Sequence, residues 1–133
     1  MLEVVKALTA TALALGFVFV VLVAGQDRTI LVSPPEAVVE QFARQIATKR
    51  YDRATPYLDD ASGITEINVR LAGEALHATA GAIDSVEGEP GAMDGDRATA
   101  SALLITEKAG RVRYMFRLAR VRHLWKIVEW TGP

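Results

Sequence analysis

Hydrophobic and polar positions divide the chain into two parts with different rhythms. Residues 7–24 read ALTATALALGFVFVVLVA, a run with no charge and only two threonines as polar side chains. As a helix that run spans about 27 Å, close to the hydrocarbon thickness of a bilayer. Threonine hydroxyls can bond back to helix carbonyls, so neither strands a polar group in lipid. Glu3 offsets Lys6 ahead of the run, and Asp27 and Arg28 follow it. That start is poorer in positive charge, and the apolar stretch longer, than in a cleaved signal peptide. A single-pass transmembrane anchor over residues 1–28 is expected, carrying a domain over 29–133. A signal-anchor orientation puts that domain in the periplasm of a bacterial inner membrane. Ala12 and Gly16 form a small-xxx-small pair suited to packing against another helix.

After residue 32 the apolar positions recur at helical spacing. Ser33 is placed to cap, Pro34 suits a first helical position, and Glu36 completes a capping box. Val38, Val39, Phe42 and Ile46 then form one stripe of a helix ending near Lys49. A short second helix is expected over 51–59, with Ala54, Tyr57 and Leu58 inward and Pro56 kinking it or in its first turn. The third is expected over 64–80, with Ile64, Ile67, Leu71 and Ala75 as its apolar stripe. From there the period drops to two. Strands are expected over 82–87, 97–107, 111–119 and 124–130, with turns over 88–96, around Asp94-Gly95, and over 108–110. In the third strand Val112, Tyr114, Phe116 and Leu118 share one face, and Arg111, Arg113, Met115 and Arg117 the other. Helices followed by an antiparallel meander give an α+β domain, three helices on one face of a curved four-stranded sheet.

The 133-residue chain carries a formal charge of −1, which favours neither nucleic acid nor an acidic substrate. Locally the balance is uneven. Residues 84–107 hold six acids against Arg97 alone, whereas residues 108–126 hold seven bases and no acid. Cysteine is absent, which removes disulfides, thiolate metal sites and thiol nucleophiles. Two histidines far apart lack metal-ligand spacing. Gly88, Gly91 and Gly95 do not lead from a strand into a helix, so they read as turn residues rather than a phosphate cradle. No cofactor is expected.

The stretch PPEAVVEQFARQIATKRYDRATPYL resembles the opening helix pair of the nuclear transport factor 2-like (NTF2-like) superfamily. RYMFRLARVRHLWKIVEW resembles its closing hairpin, and Tyr51, Tyr57 and Trp125 accompany the matching apolar spacing. The resemblance implies a cone, a bent sheet wrapped on three helices. It departs at Val121-Arg122-His123, where a glycine-containing turn is expected. Enzymes of the superfamily work in the mouth of the cone with an aspartate or histidine base and a tyrosine donor. On that model the candidates here are Asp84, His77, Tyr57 and Tyr114.

Arg111, Arg113, Arg117, Arg120 and Arg122 are the strongest functional signal, because guanidinium groups suit carboxylates and partner surfaces. No aromatic side chain interleaves them on the outward face as a base-stacking platform requires, so nucleic acid is not the expected partner. The expected role is a non-catalytic accessory or scaffold subunit of a larger bacterial membrane complex. Its partners would be other membrane-protein subunits, met through the transmembrane helix and the basic sheet face. The alternative is a tethered domain that binds a small ligand, or turns one over by acid–base chemistry, in the cone's mouth. Retention of the anchor is directly measurable. The intact mass of the native protein should match the full chain, less at most its initiator methionine, and a mature form starting near Gln26 would overturn the anchor.

Overall fold

Two prolines set the start of the first helix, α1 (Pro35–Ala47), in a computed structural model that describes residues 33–132. The expected anchor, with Ala12 and Gly16, lies outside the described residues. Among those described, no helix is long and apolar enough to cross a membrane. Ser33 does not cap α1: Pro34 is the N-cap, extended at φ −69° and ψ 164°, and no side chain caps the helix. Pro35 takes the first helical position, where its missing N–H costs nothing. The carbonyl of Pro34 accepts the N–H groups of Ala37 and Val38 at 3.0 and 3.1 Å. Val38, Val39, Phe42 and Ile46 are buried along one side as expected.

Two short 3₁₀ turns, Tyr51–Arg53 and Thr55–Tyr57, replace the single helix expected over 51–59, and a third, Asp60–Ser62, follows. Pro56 has no N–H to give the carbonyl of Asp52, so an α-helix cannot run through it. The hydroxyl of Thr55 donates to that carbonyl instead, at 3.1 Å. The next helix, α2 (Glu66–Ala80), opens with a capping box between Thr65 and Asn68. Its buried face is Val69, Gly73, Leu76 and Ala80. Of the stripe expected to be buried, Ile64 packs on the core, whereas Ile67, Leu71 and Ala75 turn outward, Ile67 at 67% and Leu71 at 61% exposure. The cause is Tyr51, whose ring lies against Gly73 so closely that an added Cβ would stand 2.3 Å from its Cε1. Small residues, rather than the largest apolar ones, let α2 seat there.

Four antiparallel strands follow in the order β1-β2-β3-β4: β1 (Ile83–Asp94), β2 (Arg97–Thr106), β3 (Gly110–Val121) and β4 (Leu124–Thr131). β1 extends well past the expected residue 87, because Gly88 and Pro90 are strand residues paired with Ala102 and Ala100. Gly88 is required by a close approach: a Cβ there would lie 2.1 Å from the carbonyl oxygen of Glu36 in α1. Its N–H donates to Glu40 Oε1 at 2.9 Å. A register shift between Pro90 and Met93 bends the far end of β1. β2 and β3 pair without interruption from Arg97↔Ala119 to Thr106↔Gly110. The β3–β4 hairpin turns tightly through Arg122 and His123, both left-handed at φ 52° and 72°. Such geometry is normally reserved for Asn and Gly, and it strains ordinary side chains.

The core lies between the helices and one face of the sheet. Ala98, Ala100, Ala102 and Leu104 of β2, Val112, Phe116 and Leu118 of β3, and Trp125 and Ile127 of β4 all point into it. Phe42 sits edge-on to Phe116, ring centroids 5.8 Å apart at 82°, and 5.3 Å from the Trp130 ring. Truncating Phe116 or Trp125 to alanine should cost about 3–5 kcal/mol in chemical denaturation, the range for buried aromatic side chains. A loss below about 1 kcal/mol at both would contradict this facing.

Candidate functional site

The interior of the cone is the place to look for catalysis, and aromatic rings occupy most of it. The remaining cavity is ≈ 20 Å³, lined by Phe42, Ile46, Leu76, Leu104, Tyr114 and Trp130 among others. That is room for about one water. Tyr114 contributes the only hydroxyl to the lining. The other candidates do not join it. Asp84 is exposed on β1. Nε2–H of His77 donates to the carbonyl of Ile46 at 3.0 Å, a structural tie between α2 and α1. Tyr57 packs on the core in the second 3₁₀ turn, outside the lining. Desolvation raises the pKa of Tyr114 above the usual tyrosine value.

On the opposite, helix-free face of the sheet, Arg111, Arg113, Met115 and Arg117 project as the alternation predicts. Neighbouring acids hold two of the three arginines. Arg113 makes a fork to Glu89, Nε to Oε1 at 2.9 Å and Nη2 to Oε2 at 3.3 Å, and this hydrogen-bonded contact raises its pKa. Arg117 pairs with Glu129 across β3 and β4. Arg111 has no carboxylate partner among the described residues. Between them Leu103 and Ile105 are half-buried, and Met115, 49% exposed, receives the hydroxyl of Ser101 at its sulfur at 3.3 Å.

Arg120 and Arg122 do not belong to this face. Strand alternation turns Arg120 to the other side, where its guanidinium stacks 4.7 Å from the Trp125 centroid. There it also meets Asp96 at 3.8 Å. Arg122 sits in the tight β3–β4 turn. The expected five-arginine patch is therefore a three-arginine face with alternating charge.

A third feature was not anticipated from the sequence. Lys49, Tyr51, Arg70, Glu74 and His77 line an open polar cleft where the end of α1 meets α2. Tyr51 is 4% exposed, and its enclosed hydroxyl has no hydrogen-bond partner among the described residues. Leaving a buried donor unpaired costs about 1–3 kcal/mol. Arg70 lies over the Tyr51 ring at 5.5 Å and is tethered to Glu66 at 2.6 Å. Desolvation, then Glu74, raise the Tyr51 pKa, and Arg70 opposes them.

With this geometry in hand, comparison with known proteins is informative about architecture. No family model matches the chain, and no curated protein matches it in sequence. Solved structures do. An NTF2-like protein from Campylobacter jejuni, classed provisionally as a transpeptidase, superimposes with a TM-score of 0.59 at 15% identity, over 71% of this chain and 97% of that one. A SEC-C motif containing protein from Rhodopseudomonas palustris gives 0.56 at 15% identity, over 74% of this chain and 78% of that one. The fold is NTF2-like. At that identity the likeness carries architecture alone.

The two perturbed tyrosines set a pH dependence. Their folded pKa values are raised, so as pH climbs the unfolded chain releases these protons first. Stability is then intact below about pH 10, the unperturbed tyrosine value, and falls as pH rises through the folded values. Tyr51→Phe and Tyr114→Phe should each flatten that alkaline decline in thermal unfolding. An unchanged slope in both would contradict the assignment.

Proposed function

We propose that the protein is a non-catalytic subunit of a larger bacterial membrane assembly, anchored by residues 1–28 and meeting its partner through the helix-free face of the sheet. One observation carries the reading: no other element among the described residues covers that face, and it mixes Arg111, Arg113 and Arg117 with Met115, Leu103 and Ile105. Solvated strand faces do not need exposed methionine and half-buried leucine beside arginine, whereas interface cores are enriched in methionine and arginine. The Arg113–Glu89 and Arg117–Glu129 pairs add alternating charge, which selects orientation more than it adds affinity. Arg111 is left to meet a carboxylate of the partner. The near-filled interior supports the same reading, since its one hydroxyl and small void offer neither a base nor room for a substrate.

An anchored domain is already concentrated at the membrane, so a modest polar face suffices for docking. The transmembrane segment, through Ala12 and Gly16, supplies the second contact on this reading. Full-length protein carrying Arg111→Glu with Met115→Asp, purified in mild detergent, should lose the partner subunits that the unaltered protein retains. Its unfolding free energy should move by no more than about 0.5 kcal/mol, as for other exposed positions. Retention of those subunits, together with a growth defect from Tyr114→Phe, would instead place function in the mouth of the cone.

A further inference from the structure

Ile67 and Leu71 are the two most exposed large apolar side chains among the described residues. They lie one turn apart on α2, and exposed Ala75 and Ala78 continue their line. On a helix of 3.6 residues per turn that line stands directly opposite the buried line of Val69, Gly73, Leu76 and Ala80. Rolling α2 to hide it would take Gly73 from beneath the Tyr51 ring, where no side chain fits. Apolar residues scattered singly over a surface are ordinary, but a line of them along one helix is the pattern another helix covers. We propose that the same line of a second copy of this chain covers it, the two α2 helices running antiparallel. This surface is separate from the helix-free face of the sheet, and the pairing stands whether or not that face meets another subunit.

Size and charge select both the occupant and its direction. The line is graded, with isoleucine and leucine in its first half and two alanines in its second. Antiparallel copies set bulky against small, Ile67 over Ala78 of the second copy and Leu71 over its Ala75, and the reverse by symmetry. Parallel copies would set Leu71 on Leu71 and leave a gap between facing alanines. Arg70 and Glu74 flank the line on one side, Asn68 and Thr79 on the other. In an antiparallel pair like flanks meet, and the register that seats Leu71 over Ala75 also sets Arg70 against Glu74, twice. Glu74 has no cationic partner among the described residues. Arg70 is held by Glu66 at 2.6 Å, and its five N–H groups can serve a second carboxylate as well. Opposed helix dipoles favour the same direction. A line on one helix buries less than the roughly 1,200 Å² of a standard interface, so the pair is weak and covalent trapping is the suitable readout.

The chain has no cysteine, so introduced cysteines report alone. Full-length Leu71→Cys and Ala75→Cys variants in mild detergent are mixed and oxidised with copper phenanthroline, and mass separates the linked heterodimer from the two homodimers. The heterodimer should form about fivefold faster than either homodimer, because only that pairing brings two Cβ atoms within disulfide reach. Ile67→Cys mixed with Ala78→Cys should behave alike, which decides the matter if either of the first two variants fails to fold. Asp84→Cys, exposed on β1, should link only at the slow rate of random collision. Glu74→Arg added to both partners should slow the heterodimer about threefold at low salt, as replacing two surface ion pairs by repulsion requires. Leu71→Cys homodimers forming faster than the heterodimer would mean a parallel pair. Equal rates for Asp84→Cys would mean collision alone, and a heterodimer rate untouched by Glu74→Arg would remove the charge pairing. Each of these results would overturn the proposal.

Discussion

The close approach of α1 to β1 and β2 is the constraint on which the rest of the domain depends. A helix can lie that near a sheet only where side chains beneath it are small, and β2 presents Ala98, Ala100 and Ala102 in succession. Gly88 removes the last obstruction, under the carbonyl of Glu36. Brought this close, Phe42 reaches through to Phe116 and Trp130, and the interior closes around aromatic rings. Packing at this density leaves little space unfilled. The nearly filled interior follows from that single approach.

Much of this was legible in the chain, where large side chains carried the signal. The alternation through Arg111–Met115–Arg117 and Val112–Phe116–Leu118 located β3 and its two faces, and Val38, Val39, Phe42 and Ile46 located α1 and its stripe. The failures share one cause, small residues whose role is permissive. Gly88, Pro90 and Gly91 look like a turn, yet they continue β1, because the glycine at 88 answers a helix approaching from another part of the chain. Ile67 and Leu71 outweigh Gly73 and Ala80 in any hydropathy reading, yet the small residues face inward because Tyr51 needs the room. Tertiary fit decided both, and no local pattern contains it. The cleft was invisible for the same reason: Lys49 follows α1 and Arg70 lies on α2, and tertiary contacts such as Tyr51 on Gly73 and His77 on Ile46 gather them.

Electrostatics reshaped the basic segment in a similar way. Seven bases in nineteen residues suggest a uniform positive surface, but a strand separates its neighbours onto two faces and sets partners opposite them. Glu129 comes from the adjacent β4, and Glu89 from β1, reaching Arg113 across the intervening β2. Arg120 is drawn onto Trp125, where its planar group covers an indole face. What survives at the surface is a pattern of signs with an apolar centre, a more selective feature than a block of like charge.

The bond between Glu40 and Gly88 has a consequence beyond the packing of α1. β1 is an outer strand of an open sheet, and such strands ordinarily offer a row of free donors and acceptors to any passing chain. Here the Gly88 N–H is already occupied by the Glu40 carboxylate, Pro90 has no N–H to give, and the irregular register before Met93 breaks the ladder beyond it. An incoming strand therefore finds no continuous template along this border. Pairing of this border with another strand is thereby interrupted at the level of single backbone groups, not by a covering element.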